Sequence, residues 1–484
     1  MTFPLPAEGK ALWTGRLAAT PGSVVARWIP GDQSEEAALL KELGLHDVEE
    51  LFADVPKKVR LGRLGVGAGK DEPDVVRTVD QILDRNRPYS KFASFLGGRI
   101  GTRFVPAAVD AILSRSEFYT AYTPYQPEAS QGTLQAMFEF QSLWVELTGM
   151  DAANASLYDG ATSMGEALLL CHRVHDGHRF LVPASLPWEE RSVLENYATG
   201  FPIRIESIPF DSRTGGLDLA GLRTEIGKGD VFGLLADVPN GFGHLDEGLF
   251  ELKGILGKVP LVIGADPLAL SVLEPPGAWG ADVVVGEGQG FGMTPNFGGP
   301  LVGLFACRKE LLRVAPGRIV GATRDVDGRR AFTLTLQTRE QHIRRSRATS
   351  NICTNQSLVA LAFVVYASLV GARGLAELQG RITERAHTLA SALGGIDGLS
   401  APRFEAPYLG EFALRVGRGS ARAFLDRLRR RRVLGGHSLA DPRPGRSGLG
   451  EELILTAARD TTDDKEIQRY ARAARAALAA TGAA

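Results

Sequence analysis

Between residues 116 and 335, short apolar runs alternate with stretches of helical periodicity, and Gly or Pro marks the joins. The runs fall at 180–182, 203–208, 231–238, 261–265, 283–285 and 301–306. That rhythm predicts a mostly parallel sheet with helices on its faces, a large α/β domain over 116–335. Residues 1–115 read as helices and loops, an N-terminal helical arm in which Pro56 and Pro73 interrupt amphipathic stretches at 34–43 and 48–53. After 336 comes a helix-rich stretch, then strand patterns at 411–416 and 452–456, which predicts a smaller α+β domain over 336–484. A chain of 484 residues is too long for a single core, so this division is expected on length as well.

Composition removes several classes of function. A formal net charge of -1 offers no general attraction to nucleic acid or to an anionic membrane. Cys171, Cys307 and Cys353 are far apart in sequence, which argues against a disulfide framework or zinc site and suits a reducing, cytoplasmic setting. His172, His175 and His178 lack an acidic or thiol ligand at matching spacing, so no metal is expected. The first 20 residues lack the apolar core of a secretory signal. The longest uncharged run, 358–372, is shorter than the roughly 20 residues a membrane span needs, so it reads as a buried helix. Gly65, Gly67, Gly69 and Lys70 mimic a phosphate loop, but Leu64 and Asp71 stand where that motif needs Gly and Ser or Thr.

Three features follow one another in the order of a sheet that binds pyridoxal phosphate (PLP). Asp159-Gly160-Ala161-Thr162-Ser163 opens a helix, a place where backbone N–H groups can hold an anion, though Thr and Ser also simply cap helices. Asp266 follows the run 261–265, where a carboxylate can pair with a pyridinium nitrogen or serve as an ordinary turn residue. The third feature, a lysine for a Schiff base, is missing from 282–292. The chain has eleven lysines and none between Lys258 and Lys309. Lys309 follows an apolar strand and begins a charged helix, which suits an exposed side chain. Such a layout points to one half of a two-chain active site.

The segment 117–132 crowds Tyr119, Tyr122 and Tyr125 together with Thr123, Pro124, Gln126 and Pro127. Aromatic rings with polar tips suit a pocket wall or a subunit interface. Together with Gly286-Glu287-Gly288-Gln289, Phe297-Gly298-Gly299-Pro300, the stretch 334–345 and Ala348-Thr349-Ser350-Asn351-Ile352-Cys353-Thr354-Asn355-Gln356, the run from Phe118 to Ala167 resembles the decarboxylating glycine dehydrogenases. These are the P-proteins of the glycine cleavage system, and the resemblance, from Trp28 to about Thr461, is to subunit 1 of their split, two-chain form. The sequence departs from the family pattern at Gly241, where a bulky aromatic is usual, and at Gly290-Phe291, where Pro-Leu is usual.

The resemblance implies a fold-type-I PLP enzyme assembled with subunit 2 as an α2β2 heterotetramer. It implies that PLP is bound covalently by subunit 2 and not by this chain. It implies decarboxylation of glycine, with the aminomethyl group passing to the lipoyl arm of H-protein. No catalytic residue of this chain is assigned with certainty. Tyr122, Thr123, Tyr125, Gln126, Thr349, Ser350 and Asn351 are candidates for the shared pocket, with dimer packing as the alternative for each. Gly160, Thr162 and Asp266 are candidates for a vestigial cofactor site. Two rival readings are a pure scaffold for subunit 2 and an independent PLP enzyme using Lys309.

Overall fold

The computed structural model describes residues 33–61, 65–296, 299–417, 419–443, 449–450 and 452–479. Residues 1–32, which hold Trp28, and Phe297 and Gly298 of the motif at 297–300 lie outside the described residues. The chain divides into two compact units, Met1–Asn86 and Arg87–Ala484. The boundary expected at 115 therefore falls within the second unit.

In the first unit, helix Gln33–Leu43 precedes a short 3-10 turn, Val48–Phe52. Reciprocal caps hold that turn: Asp47 Oδ1 accepts from Glu49 N at 2.9 Å, and Glu50 Oε1 accepts from Asp47 N at 3.1 Å. Helix Glu72–Leu83 begins at Asp71, whose Oδ1 accepts from Asp74 N at 3.1 Å. Pro73 was expected to interrupt the pattern. It sits instead in the first turn of this helix, where a missing N–H removes no helical bond.

The second unit is organised by a seven-stranded sheet. Its strands are β1 (Ala152–Ala153), β2 (Arg179–Pro183), β3 (Arg204–Ile208), β4 (Val231–Val238), β5 (Leu261–Ala265), β6 (Val283–Glu287) and β7 (Gly303–Cys307). They lie in the order β1-β7-β6-β5-β4-β2-β3. From β3 across to β6 neighbours run parallel, and β7 and β1 are antiparallel at one edge. Strands β2, β4, β5, β6 and β7 are buried along their whole length, as a sheet covered on both faces requires. Alternation sends Ile263 and Val284 to one core and Val262 and Val283 to the other. Each such side chain contributes about 1.5–3 kcal/mol when taken fully out of water.

Helix Gln131–Thr148 covers the first face through Phe140 and Trp144, and helix Gly160–Val174 covers the second through Met164 and Leu168. A hairpin of β8 (Ile319–Arg324) and β9 (Arg330–Thr335) packs beside the first of these helices. Beyond it, helix Ser357–Gly394 runs from the first sheet core into a separate core formed by a small antiparallel sheet. By length and composition this helix would cross a membrane, but Ala360, Phe363 and Leu389 are core residues and 56% of its most apolar window is buried. The small sheet comprises β10 (Leu399–Ser400), β11 (Glu411–Val416), β12 (His437–Ser438) and β13 (Leu453–Ala457), in the order β10-β11-β13-β12. Helices Ala421–Arg430 and Asp464–Ala479 cover it.

Candidate functional site

The parallel strands end on one side of the sheet, where loops converge on a crevice in folds of this kind. Here that crevice is a cavity of about 440 Å³, lined among others by Gly160, Pro239, Gly241, Asp266 and Glu287 from the large sheet and by Glu411, His437 and Arg459 from the small one. A strap at residues 95–105 closes it. Phe95 N donates to Leu434 O at 2.7 Å, and Ala457 N donates to Phe95 O at 3.0 Å, the second bond tying the strap to β13 of the small sheet. The strap then delivers Arg99 and Arg103 to the strand ends. A Cβ at Gly101 would lie 2.7 Å from the Arg459 guanidinium, so a larger residue there would push that side chain aside.

Gly160 and Asp266 do reach this cavity, and each already has a partner within the chain. At the start of helix Gly160–Val174 the anion position is taken by the side chain of Glu287. Its Oε2 accepts from Gly160 N at 2.9 Å, and its Oε1 accepts from Gln289 N at 2.9 Å and Val302 N at 3.0 Å. Asp159 caps the same helix, accepting from Thr162 N at 2.7 Å and from the Thr162 hydroxyl at 3.0 Å. Asp266 lies 3.6 Å from Arg103 Nη2 and accepts from Leu268 N at 2.8 Å. Arg99, from the same strap, pairs with Glu190 and at 2.7 Å with Asp237.

The chemistry of these donors decides whether PLP fits. A phosphate placed at Gly160 would displace or face the Glu287 and Asp159 carboxylates, and a pyridinium at Asp266 would compete with Arg103. No lysine lines the cavity among the described residues; Lys309 is exposed beyond β7, where its N–H donates to Asp151 Oδ2 at 3.0 Å. The residues present do not fit PLP.

Burial pushes the Glu287 carboxyl up to about 7, against the pull of its three N–H donors. An unfolded Glu titrates at about 4.3, so the folded chain binds this proton more tightly. The group's contribution to stability is therefore full below the unfolded value and is lost as pH rises to about 7. Glu287→Gln, which does not titrate, is expected to flatten stability against pH between about 4.5 and 7, by up to about 1.4 kcal/mol per pH unit. Urea unfolding across that range measures it, and coincident slopes for parent and variant would remove Glu287 as the titrating group.

The departure at Gly241 belongs to this wall, and Phe291 packs behind it against Arg103. At Gly241 a Cβ would stand 1.8 Å from Ser185 O, so the backbone admits no larger residue. Phe291 is buried, stacks on Phe363 with ring centroids 4.6 Å apart, and lies under the Arg103 guanidinium at 5.7 Å.

Of the other candidates, Tyr125 lies against Arg318. Tyr122 is 77% exposed, so its ring is available to a partner. Pro124 is buried and Tyr125 N donates to Thr123 O at 2.9 Å, which shapes the turn that presents Tyr125. Arg318, only 3% exposed, donates from Nη2 to the Tyr125 hydroxyl at 3.1 Å and from Nη1 to Asn355 Oδ1 at 3.5 Å. Its guanidinium also lies 5.5 Å from the Tyr125 ring centroid and pairs with buried Glu340 at 3.8 Å. Thr349 N donates to Arg339 O at 3.2 Å, and Ser350 Oγ accepts from Ile352 N at 3.0 Å, while Asn351 is exposed. Tyr125 and the loop 349–356 are thus brought together through Arg318, with no direct hydrogen bond from Tyr122 or Gln126 to Thr349, Ser350 or Asn351 among the described residues. Arg99, Arg103 and Arg318 carried no motif in the sequence; Glu287 and Glu340 stood in stretches that carry the family resemblance, but with no role assigned to either.

A family model described as "Glycine cleavage system P-protein" matches residues 26–417. The "Probable glycine dehydrogenase (decarboxylating) subunit 1" of Geobacillus kaustophilus is 43% identical over 451 residues, covering 92% of this chain and 97% of that protein. The crystal structure of a glycine decarboxylase (P-protein) of the glycine cleavage system in inhibitor-bound form superposes with a TM-score of 0.82 at 37% identity, covering 93% of this chain and 100% of the other. A C-DES variant with glycine covalently linked to its PLP cofactor shares the fold alone, with a TM-score of 0.56 at 18% identity over 79% of this chain and 96% of the other.

Proposed function

The chain belongs to the glycine cleavage system P-protein family, and from that premise we propose that it is subunit 1 of a decarboxylating glycine dehydrogenase active only with subunit 2. The observation that carries the two-chain reading is Glu287, seated on the helix start where a cofactor phosphate would otherwise bind. In this reading PLP is held by a lysine of subunit 2, where it supplies the electron sink for loss of CO2 from glycine. The aminomethyl group then passes to the lipoyl arm of H-protein. The assembly is an α2β2 heterotetramer in the cytoplasm, a reducing setting that suits three free cysteines.

This chain's part is to complete the neighbouring pocket. Tyr122, Tyr125 and Gln126 supply aromatic and polar surface, with Thr123 and Pro124 fixing the turn. Thr349, Ser350 and Asn351 extend towards the partner's cofactor. Arg318 holds Tyr125 in place and keeps water from the base of that wall.

Glycine-dependent CO2 release tests the reading. This chain alone and subunit 2 alone are expected to be silent, and a 1:1 mixture active. A yellow chain that is active by itself and labelled by borohydride would overturn it. Tyr125→Ala separates half-site from scaffold: the complex should still form at 1:1, with CO2 release down at least tenfold. An unchanged rate would favour the scaffold.

A further inference from the structure

Behind the Tyr125 wall, one residue holds a backbone that its own side chain disfavours. Ser156 is fully buried at φ 116°, while the other non-glycine residues of positive φ among the described residues fall between 53° and 64°. The left-handed well open to side chains ends at about 70°, so Ser156 carries strain that a glycine would not. Such strain persists only where the surrounding structure over-determines it. Here the bonds on either side do so. Ala155 N donates to Arg318 O at 2.8 Å, Ser156 N to Asn154 Oδ1 at 3.2 Å, and Leu157 N to Gly303 O at 2.9 Å.

What serine adds to that backbone is its hydroxyl. Ser156 Oγ accepts from Gln356 N at 3.1 Å and from Asn355 Nδ2 at 3.4 Å, and the same amide donates to Ala155 O at 3.0 Å. Asn355 Oδ1 in turn accepts from Arg318 Nη1, the guanidinium that donates to the Tyr125 hydroxyl. One oxygen therefore fastens the end of the loop 349–356 to the cation that orients Tyr125. A glycine would fit the backbone better and would supply neither bond.

We propose that Ser156 is a positioning residue for the shared pocket, its hydroxyl holding the loop 349–356 and the Arg318–Tyr125 pair in one fixed arrangement. The role rests on the half-site reading above and adds to it the group that couples the pocket's two walls.

The test compares the full chain with Ser156→Gly and Ser156→Ala, each alone in urea and each mixed with subunit 2. Ser156→Gly loses the hydroxyl and relieves the strain, whereas Ser156→Ala loses the hydroxyl and keeps the strain. Ser156→Gly should therefore be the more stable of the two variants. It should still form the 1:1 complex and yet release CO2 at least tenfold more slowly than the parent. The loss should fall in kcat, with the glycine KM changed by less than about twofold, because a misplaced wall is felt in the transition state. A serine that only held the fold would give turnover that follows stability, with Ser156→Gly close to the parent. That result, a raised KM with kcat unchanged, or a Ser156→Gly chain that no longer assembles overturns the proposal. The parent mixture separates the two readings. If it releases CO2 and Ser156→Gly matches it, the positioning role alone falls; a silent parent mixture removes the half-site reading and this role together.

Discussion

Glu287→Ala is expected to lower the free energy of unfolding by about 3–5 kcal/mol. The carboxylate is 7% exposed and joins three segments distant in sequence: the helix start at Gly160, the turn at Gln289 and the entry to β7 at Val302. Its removal orphans three backbone donors, each costing about 1–3 kcal/mol when left unmet. Relief of a buried charge offsets part of that loss. Urea unfolding of the purified chain measures the difference. A change below about 1 kcal/mol would mean that water entering from the cavity satisfies all three donors.

Arg318→Ala is expected to cost about 3–5 kcal/mol in stability and to reduce CO2 release from the assembled complex at least a hundredfold. Two effects coincide. Glu340, 7% exposed, loses its buried Arg318 cation and keeps His342 at 3.6 Å and the neighbouring charge of Arg339. Tyr125 loses both the hydrogen bond to its hydroxyl and the cation beneath its ring. Catalysis is sensitive to misplacement on the scale of an ångström, so the activity loss should exceed that of Tyr125→Ala. Assay of both variants against the same subunit 2 checks this order. A complex of Arg318→Ala with undiminished turnover would detach this cluster from the chemistry.

The sheet was legible because its strands are buried on both faces. The runs at 231–238 and 261–265 coincide with β4 and β5, since every residue in them faces a core. β1 is only two residues long and leaves no period to read. The β8–β9 hairpin was missed because its outer end is exposed and charged, with Arg324, Asp325, Asp327 and Arg329 around the turn. The helix expected over 358–372 continues to Gly394: Gly371, at φ 68°, breaks the local geometry and the pattern resumes beyond it.

At the candidate site, sequence order was enough to bring Gly160 and Asp266 to one cavity, because parallel strands deliver their following loops to one side of a sheet. The partners of these groups were not legible. Glu287 and Gly160 are 127 positions apart, and nothing local to either announces the contact. Arg103 comes from a strap without regular structure, and Arg318 sits between Gly317 and a short strand, where it resembles an ordinary surface cation. Ion pairs across such distances are properties of the folded chain.

The seat held by Glu287 also bears on how reversible this chain's specialisation is. Putting a lysine back into 288–292 would restore only the covalent anchor. The phosphate would still find a carboxylate hydrogen-bonded to the helix start, and the ring nitrogen would find its aspartate already facing an arginine. Restoring cofactor binding needs all three positions changed together, and clearing Glu287 alone weakens the fold before any cofactor can compensate. No single substitution in this chain therefore turns it into an independent PLP enzyme.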